Sequence, residues 1–229
     1  MDTLFIDIKT TGFNVDADAV THIGLLTWDL DKPVSTCKIV EHTLVDRSVA
    51  DIGDEFTQYT SKSLIIPPQA AADHLDRLYG SASQITVDQL RGILERCYSI
   101  HSVVYGCSIY NHEMPFLNKV LKYTGNIVDV GLLVKAIKAG VAISDISTCT
   151  WADLYFNYNN ITYGVDTVCV PDLDLRAKWD GKIHKILEAN GIHPPSRRFW
   201  QHTCARSSGQ QVLIDACIYS EVVDGEDRT

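Results

Sequence analysis

Apolar and polar residues in the first 45 positions follow the patterns of β-strands. A short apolar run at 4–8 ends in the polar stretch Thr10-Thr11-Gly12, which predicts a buried central strand followed by a turn. Two further runs rich in β-branched residues, at 20–28 and 34–45, are separated by a turn at 29–33 and predict a second and a third strand. Three successive strands with short connections predict an antiparallel meander.

Helix and strand patterns alternate in the later part of the chain. Strands are predicted at 102–106 and 126–130, and helices at 69–79, from 87 onward with Thr86 as N-cap, and at 116–122, 131–138, 149–157 and 209–223. The stretch 160–207 loses this regularity, apart from a helical pattern at 179–189. Five strands with helices between them predict an α/β fold with a mixed sheet and helices on both faces. We expect a single domain over 1–229 with an insertion at about 160–207.

Composition favours an ordinary globular protein and excludes some other classes. Of the 229 residues, 45% are hydrophobic and 21% are charged, and no apolar run reaches the roughly 18–20 residues that a membrane span requires. The N-terminal residues lack the basic patch and apolar core of a signal peptide, so we expect a cytoplasmic protein with no membrane partner. The seven cysteines show no Cys-x-x-Cys spacing, which argues against a zinc cluster or a disulfide framework.

Charge is unevenly distributed along the chain. The formal net charge of −9 argues against general coating of nucleic acid, because contacts with phosphates require lysine and arginine. Residues 176–206, however, carry seven basic and two acidic side chains, with Trp179, Phe199 and Trp200 among them. Such a segment could bind a single strand by charge and base stacking. Alternatively, it is a solvated insertion whose aromatic residues anchor it to the core.

The candidate chemistry begins at the end of the first strand, with Asp7-Ile8-Lys9-Thr10-Thr11-Gly12. Alternate residues of a strand share one face, so the side chains at 7 and 9 project together. The stretch resembles the first motif of the DEDD 3′–5′ exonuclease superfamily, Asp-x-Glu-Thr-Thr-Gly, in which both carboxylates help to hold two metal ions. Lys9 replaces the second acid, and an ammonium offers no ligand to a metal. The favoured interpretation pairs Lys9 with Asp7, and the alternative makes Asp7 an ordinary turn cap.

Two later stretches resemble the remaining motifs of that superfamily. In Asn111-His112-Glu113-Met114-Pro115-Phe116-Leu117, Glu113 stands where the family has an aspartate, although the start of a helix also suits an acid on electrostatic grounds alone. In the last predicted helix, Asp215 stands at the position of a metal ligand and Gln210 at that of the general base. A neutral amide cannot act as a base near neutral pH. His202 would substitute for it only if the intervening loop folds back.

The resemblance covers about 3–30, 85–158 and 208–223, and it implies an RNase H-like fold. It also implies that Asp7, Glu113 and Asp215 converge at the end of the first strand and hold Mg²⁺ or Mn²⁺, with Lys9 and Gln210 as altered catalytic positions. The residues predicted to contact nucleic acid are Thr10, Thr11, Arg197, Arg198 and Trp200.

Two functions follow from these expectations. The first is a metal-dependent 3′–5′ exonuclease that acts on the 3′ end of single-stranded DNA or RNA without a side-chain base. The second is an inactive pseudo-exonuclease without a metal cofactor, which keeps the cleft as a surface for nucleic acid or for a polymerase or other replication protein. Loss of a metal ligand together with the base would cost several orders of magnitude in rate, since a general base alone contributes roughly 10²–10⁴-fold.

Overall fold

Six strands form one mixed sheet at the centre of the fold. The computed structural model describes residues 2–45, 49–101, 103–138, 173–193 and 206–224. The strands are β1 (Asp2–Thr10), β2 (Val20–Asp29), β3 (Lys38–Leu44), β4 (Ser83–Ile85), β5 (Val103–Gly106) and β6 (Asn126–Asp129). Their order is β4-β3-β2-β1-β5-β6. The first three strands are antiparallel neighbours, as predicted, whereas β4, β5 and β6 each join a neighbour in parallel.

Helices follow and cover this sheet. In the described ranges they are α1 (Val49–Leu64), α2 (Pro68–Tyr79), α3 (Val87–Ile100), α4 (Glu113–Val120), α5 (Val130–Lys138), α6 (Leu173–Ala189) and α7 (Ser208–Asp224). Helix α3 begins with the predicted cap: Thr86 and Gln89 form a reciprocal capping box. The predicted helix at 149–157 lies outside the described residues.

Four elements differ from the sequence-based expectation. Helix α1 and the three-residue strand β4 were not predicted, and the third strand begins at Lys38 because Val34–Thr36 forms a short 3-10 turn after Pro33. Helix α6 begins six residues before the helical pattern that was recognised at 179. None of these differences changes the fold class: the RNase H-like mixed sheet with helices on both faces is confirmed, with β4 as an additional edge strand.

The period of two along β1 determines which residues face each helical layer. Leu4, Ile6 and Ile8 are buried on the face covered by α3 and α4. Phe5 is buried on the opposite face, in a cluster that includes residues of α6 and α7. Because alternate residues share a face, Asp7 and Lys9 lie on the same face as Phe5, on the side of α7. Among the described helices, none has the length and apolar composition needed to cross a membrane.

Candidate functional site

The site is built on two rows of cross-strand partners. Asp7 of β1 is paired with Gly24 of β2, which in turn is paired with Glu41 of β3. The next row joins Lys9 to His22 and His22 to Thr43. Directly opposed residues of neighbouring strands point to the same face. The sheet therefore places two acids, a lysine and a histidine on the face that α7 covers.

Gly24 allows the start of α7 to lie directly on this face. A Cβ atom at position 24 would collide with the main chain of Ser208 and Gly209, so the close approach requires glycine. The Gly209 N–H donates to Oε1 of Glu41 over 2.5 Å. This contact ties α7 to β3, and it gives Glu41 a role at the site that sequence reasoning missed. Desolvation by burial raises the pKa of Glu41, although this hydrogen bond and Lys9 oppose the shift.

Lys9 and Asp7 form an ion pair, as the favoured interpretation predicted. The Lys9 Nζ atom lies 2.8 Å from Oδ2 of Asp7, and only 12% and 9% of the two side chains are exposed. Pairs on the protein surface are screened by water and contribute little, whereas this pair is largely shielded. Loss of either partner would leave a charge with little access to water.

Glu113 is the first residue of α4, and its side chain is buried. Its Oε2 atom has no hydrogen-bond partner among the described residues. Burial, followed by the nearby Asp7 carboxylate, raises the pKa of Glu113 well above its usual value. The surroundings of Glu113 therefore favour its protonated, neutral form over the carboxylate.

Asp215 projects from the middle of α7 and is also buried. Its Oδ2 atom accepts the N–H of Cys107 over 3.2 Å, and its Oδ1 atom accepts the amide of Gln211 over 2.8 Å. Burial, with the Asp7 carboxylate as the second cause, raises the pKa of Asp215 to about 7. Asp7 and Glu113 line one pocket together with Cys107 and Gln211, and these last two residues hydrogen-bond Asp215, so the three acids lie in one region.

Gln210 takes part in the cap of α7. Its Oε1 atom accepts the N–H of Ser207 over 3.0 Å, while its own N–H donates to the Ser207 hydroxyl over 3.2 Å. The side-chain amide also donates to the His193 carbonyl over 2.6 Å. These contacts do not support the assignment of Gln210 to the base position, because they occupy its side chain in the helix cap. The neighbouring Gln211 is the glutamine that contacts Asp215.

A pocket of about 240 Å³ opens beside these acids. Asp7, Lys9, Thr10, Glu113 and Gln211 all line it. It is smaller than the roughly 300–1,000 Å³ of pockets that enclose drug-sized ligands. A pocket of this volume cannot enclose a double helix.

Aromatic rings form one side of this pocket. The Phe13 side chain is 74% exposed, and its ring centroid lies 5.5 Å from that of His112 and 6.3 Å from that of Tyr59 on α1. Burial is the main cause that lowers the pKa of His112, so its imidazole is neutral at neutral pH. Neither His112 nor Tyr59 was recognised in the sequence, although His112 directly precedes Glu113.

The predicted nucleic-acid contacts fall into three groups. Thr10 lines the pocket and donates its hydroxyl to the Gly12 carbonyl over 2.6 Å. Thr11 instead stabilises the following loop, because its hydroxyl donates to Asp18 and accepts the N–H of Ala19. Three predicted contacts and the alternative base His202 lie outside the described residues: Arg197, Arg198 and Trp200.

The residues at this site do not fit the two-metal centre that the resemblance implies. The Lys9 ammonium lies against Asp7, and both carboxylate oxygens of Asp215 already accept hydrogen bonds. Within the described ranges, no group of three His, Cys, Asp or Glu side chains is arranged to hold a metal ion. Among the described residues that line the pocket, Glu113 and Gln211 each keep one buried side-chain oxygen without a hydrogen-bond partner. One of these oxygens belongs to a neutral amide, and one free carboxylate oxygen is too few to hold two Mg²⁺ or Mn²⁺ ions.

Comparison with known proteins shows the fold. No family model and no curated protein matches the sequence. Two solved structures of Escherichia coli exonuclease I match in three dimensions: a zinc-bound complex with single-stranded DNA (TM-score 0.51, 11% identity) and a complex with a labelled dT13 oligonucleotide (TM-score 0.50, 10% identity). Each match covers 99% of this chain and 41% of the exonuclease chain. The chain thus has the fold of an exonuclease domain and spans about two fifths of the length of these proteins.

Proposed function

We propose that this chain is a domain with the exonuclease fold that binds single-stranded nucleic acid and has lost metal-dependent hydrolysis. The observation that carries the proposal is the ion pair between Lys9 and Asp7, at 2.8 Å on the pocket wall. The fold supports the choice of ligand, and the ion pair supports the loss of hydrolysis.

Electrostatic repulsion by Lys9 is large enough to matter. Two like unit charges 4 Å apart repel by about 4 kcal/mol at an effective dielectric constant of 20, so a divalent cation beside the ammonium would meet about twice that. Asp7 is already paired with the lysine, and the raised pKa values of Glu113 and Asp215 disfavour the charged carboxylates that would offset this repulsion. Metal binding at Asp7 is therefore unfavourable while Lys9 remains protonated.

Gln210, at the position of the general base that the resemblance implies, is a neutral amide and cannot act as a base near neutral pH. Gln210 is held in the α7 cap and does not line the pocket. Loss of the base at this position would lower the rate by roughly 10²–10⁴-fold even if a metal were bound. Together with the repulsion at Asp7, this supports a domain that keeps the binding pocket and has lost the reaction.

The exposed Phe13 ring supports the binding of single strands. An apolar ring that is 74% exposed beside a pocket is available for stacking, and a base stacked on an aromatic side chain contributes about 1–3 kcal/mol. Stacking is tolerant of base identity, so both DNA and RNA remain candidate ligands. A polymerase or other replication protein as a further partner stays a prediction.

A combined binding and cleavage assay tests the proposal. The full chain is mixed with 5′-labelled single-stranded DNA or RNA in Mg²⁺ or Mn²⁺, and binding is followed by anisotropy and cleavage on a denaturing gel. We expect binding of the single strand with no shortening from the 3′ end. Substitution Phe13→Ala should weaken binding about tenfold through lost stacking, whereas Ile65→Ala, at another exposed apolar residue, should not. Progressive shortening from the 3′ end would show that the chain is an active exonuclease. If the chain bound neither the DNA nor the RNA oligonucleotide, the proposal would be contradicted.

A further inference from the structure

The Lys9 ammonium has hydrogen-bonding capacity that the described residues leave unused. An ammonium carries three N–H donors. Among the described residues, Asp7 is its one hydrogen-bond acceptor, and Lys9 itself lines the pocket. In the part of the chain that the structure describes, two donors are thus left for a ligand that enters the pocket.

We infer, on the basis of the proposed function, that Lys9 binds the terminal phosphodiester of the strand directly, so that strand-end binding requires no divalent cation. The lysine then acts as a counter-ion attached to the protein, in the place where the resemblance implies metal. This extends the proposed function from loss of a reaction to a different mode of binding.

The ion pair with Asp7 prepares Lys9 for this contact. A free lysine side chain loses about 2 kcal/mol of rotamer entropy when it is held in place. Here Asp7 holds Nζ at 2.8 Å before any ligand arrives, and only 12% of the lysine side chain is exposed. Most of that entropy is therefore lost on folding, and it does not weaken binding of the strand.

Asp7 also limits the strength of the contact. The phosphate meets an ammonium whose charge is partly compensated by a carboxylate, so the attraction is weaker than that of an isolated lysine. We therefore expect an effect of about tenfold on affinity, which corresponds to one charge-assisted hydrogen bond. The remaining affinity comes from stacking and from other contacts of the strand.

The test measures the affinity of the wild type for a labelled oligothymidylate in EDTA and in Mg²⁺. A second oligonucleotide carries a neutral methylphosphonate in place of the terminal phosphodiester. Both are measured with the wild type and with Lys9→Met, which has a similar length and no charge. The matched control is Lys32→Met, which removes one positive charge at an exposed residue beyond the other end of β2.

The expected result is equal affinity in EDTA and Mg²⁺, within about twofold. Lys9→Met and the methylphosphonate should each weaken wild-type binding about tenfold, and together they should weaken it no further, because both remove the same contact. Lys32→Met should leave the affinity and the effect of the methylphosphonate unchanged. The comparison of EDTA with Mg²⁺ uses the wild type alone, so it decides the question even if Lys9→Met folds poorly.

Two outcomes would overturn the inference, and they are distinguishable. If the oligonucleotide binds only with Mg²⁺, or if the effects of Lys9→Met and the methylphosphonate add, Lys9 does not contact the terminal phosphate, although the domain still binds single strands. If the wild type binds no oligonucleotide in either condition, the proposed function itself fails.

Discussion

Position 9 decides whether a metal or an ammonium lies beside Asp7. The alternation of side chains along β1 brings positions 7 and 9 to one face, and the 2.8 Å distance between Nζ and Oδ2 shows that the two groups interact. The same geometry would allow two carboxylates to share a cation. A single substitution at position 9 should therefore convert one state into the other.

Lys9→Glu should create a metal site. The change replaces a repelling charge by a second carboxylate beside Asp7, and hard divalent cations prefer such oxygen ligands. A cation that binds only the native state stabilises it, by about 2.7 kcal/mol at a concentration a hundredfold above its dissociation constant. We expect Mn²⁺ to raise the melting temperature of Lys9→Glu and to leave that of the wild type unchanged. Lys9→Met, which adds no ligand, is the control, and equal Mn²⁺ effects on all three proteins would contradict the assignment.

His22 is a buried neutral histidine with a defined tautomer. The Thr21 hydroxyl donates its one hydrogen to the Lys9 carbonyl over 3.0 Å, so its contact of 2.9 Å with His22 requires Nδ1 of the imidazole to be the donor. Burial, followed by the Lys9 charge, lowers the pKa of His22 from 6.5 to about 3. The unfolded chain therefore takes up a proton between these two values and the folded chain does not.

Because of His22, the free energy of unfolding should decrease as the pH is lowered below about 6.5. Stability from this group is fully present above the unfolded pKa of 6.5 and is lost progressively as the pH falls towards 3. At pH 5 the expected loss relative to pH 7 is about 2 kcal/mol. Urea unfolding of the wild type and of His22→Phe at both pH values measures it, because the variant keeps an aromatic ring against Tyr79 and lacks the titrating group. If the free energy of unfolding changes by the same amount between pH 7 and pH 5 in both proteins, groups other than His22 are responsible.

Single positions also show what could be predicted at the site and what could not. The resemblance of three ordered motifs to the exonuclease superfamily implied that Asp7, Glu113 and Asp215 converge, whereas the period of two along β1 predicted only that positions 7 and 9 share a face. Glu41 could not be found in the same way, since its place depends on the register between β2 and β3. Gln211, in contrast, lies one helical turn before Asp215, and that spacing of four residues was a usable signal.

Among the elements, α7 depends most on its first turn. Ser207, Ser208, Gly209 and Gln210 form a capping box, in which Ser207 and Gln210 satisfy each other's backbone N–H groups. The start of the helix is buried against Gly24, so water cannot replace these contacts. The cap therefore determines where α7 begins and, with it, where Asp215 lies.

Gln210→Ala should destabilise the protein without a direct effect on the pocket. The change leaves the Ser207 N–H and the His193 carbonyl without their partner, and a buried unpaired group costs about 1–3 kcal/mol. Chemical denaturation should show a loss in this range, whereas Gln69→Ala, at an exposed residue of α2, should cost less than about 0.5 kcal/mol. A stable Gln210→Ala protein with weakened oligonucleotide binding would instead place Gln210 in the binding site.

The elements that sequence patterns missed are those that depend on tertiary contacts. Helix α1 contains Thr57, Thr60 and Ser61, which are poor helix formers, and one apolar cluster anchors it, with Phe56 against Leu78 and Tyr79 of α2. Strand β4 has only three residues, too few for a period of two to be recognised. In contrast, α3 carries its cap and its apolar stripe in the sequence itself, and it was predicted to within one residue at its start.

At the scale of the whole molecule, the order of the elements predicted the fold better than it predicted the function. A meander followed by alternating helices and strands is compatible with few arrangements, because crossovers between parallel strands are strongly restricted. The sheet could therefore be predicted from the apolar patterns that are typical of buried strands. The proposed function depends instead on a few side chains, among them Lys9 in its ion pair with Asp7.

The net charge of −9 raises the question of how the molecule attracts a polyanion at all. Residues 176–206 carry a net positive charge, in contrast to the segments on either side. If this region contacts the strand, binding should release counter-ions, and log K should fall with log salt by about 0.7 for each phosphate contacted. We expect Arg197→Glu with Arg198→Glu to weaken binding and to make this slope shallower by about 1.4, from the loss of two contacts.

A second pair of charge reversals distinguishes direct contact with the strand from the effect of net charge on binding. Arg91→Glu with Arg96→Glu changes the net charge by the same amount, at two exposed residues of α3, which packs on the opposite face of the sheet from Lys9. If 176–206 binds the strand, the pair at 197 and 198 should flatten the salt slope and the pair on α3 should leave it unchanged. Equal weakening by both pairs would assign the effect to long-range repulsion by the whole molecule. No change with either pair would leave the basic segment with a packing role, and strand binding would then depend on Phe13, Lys9 and the pocket.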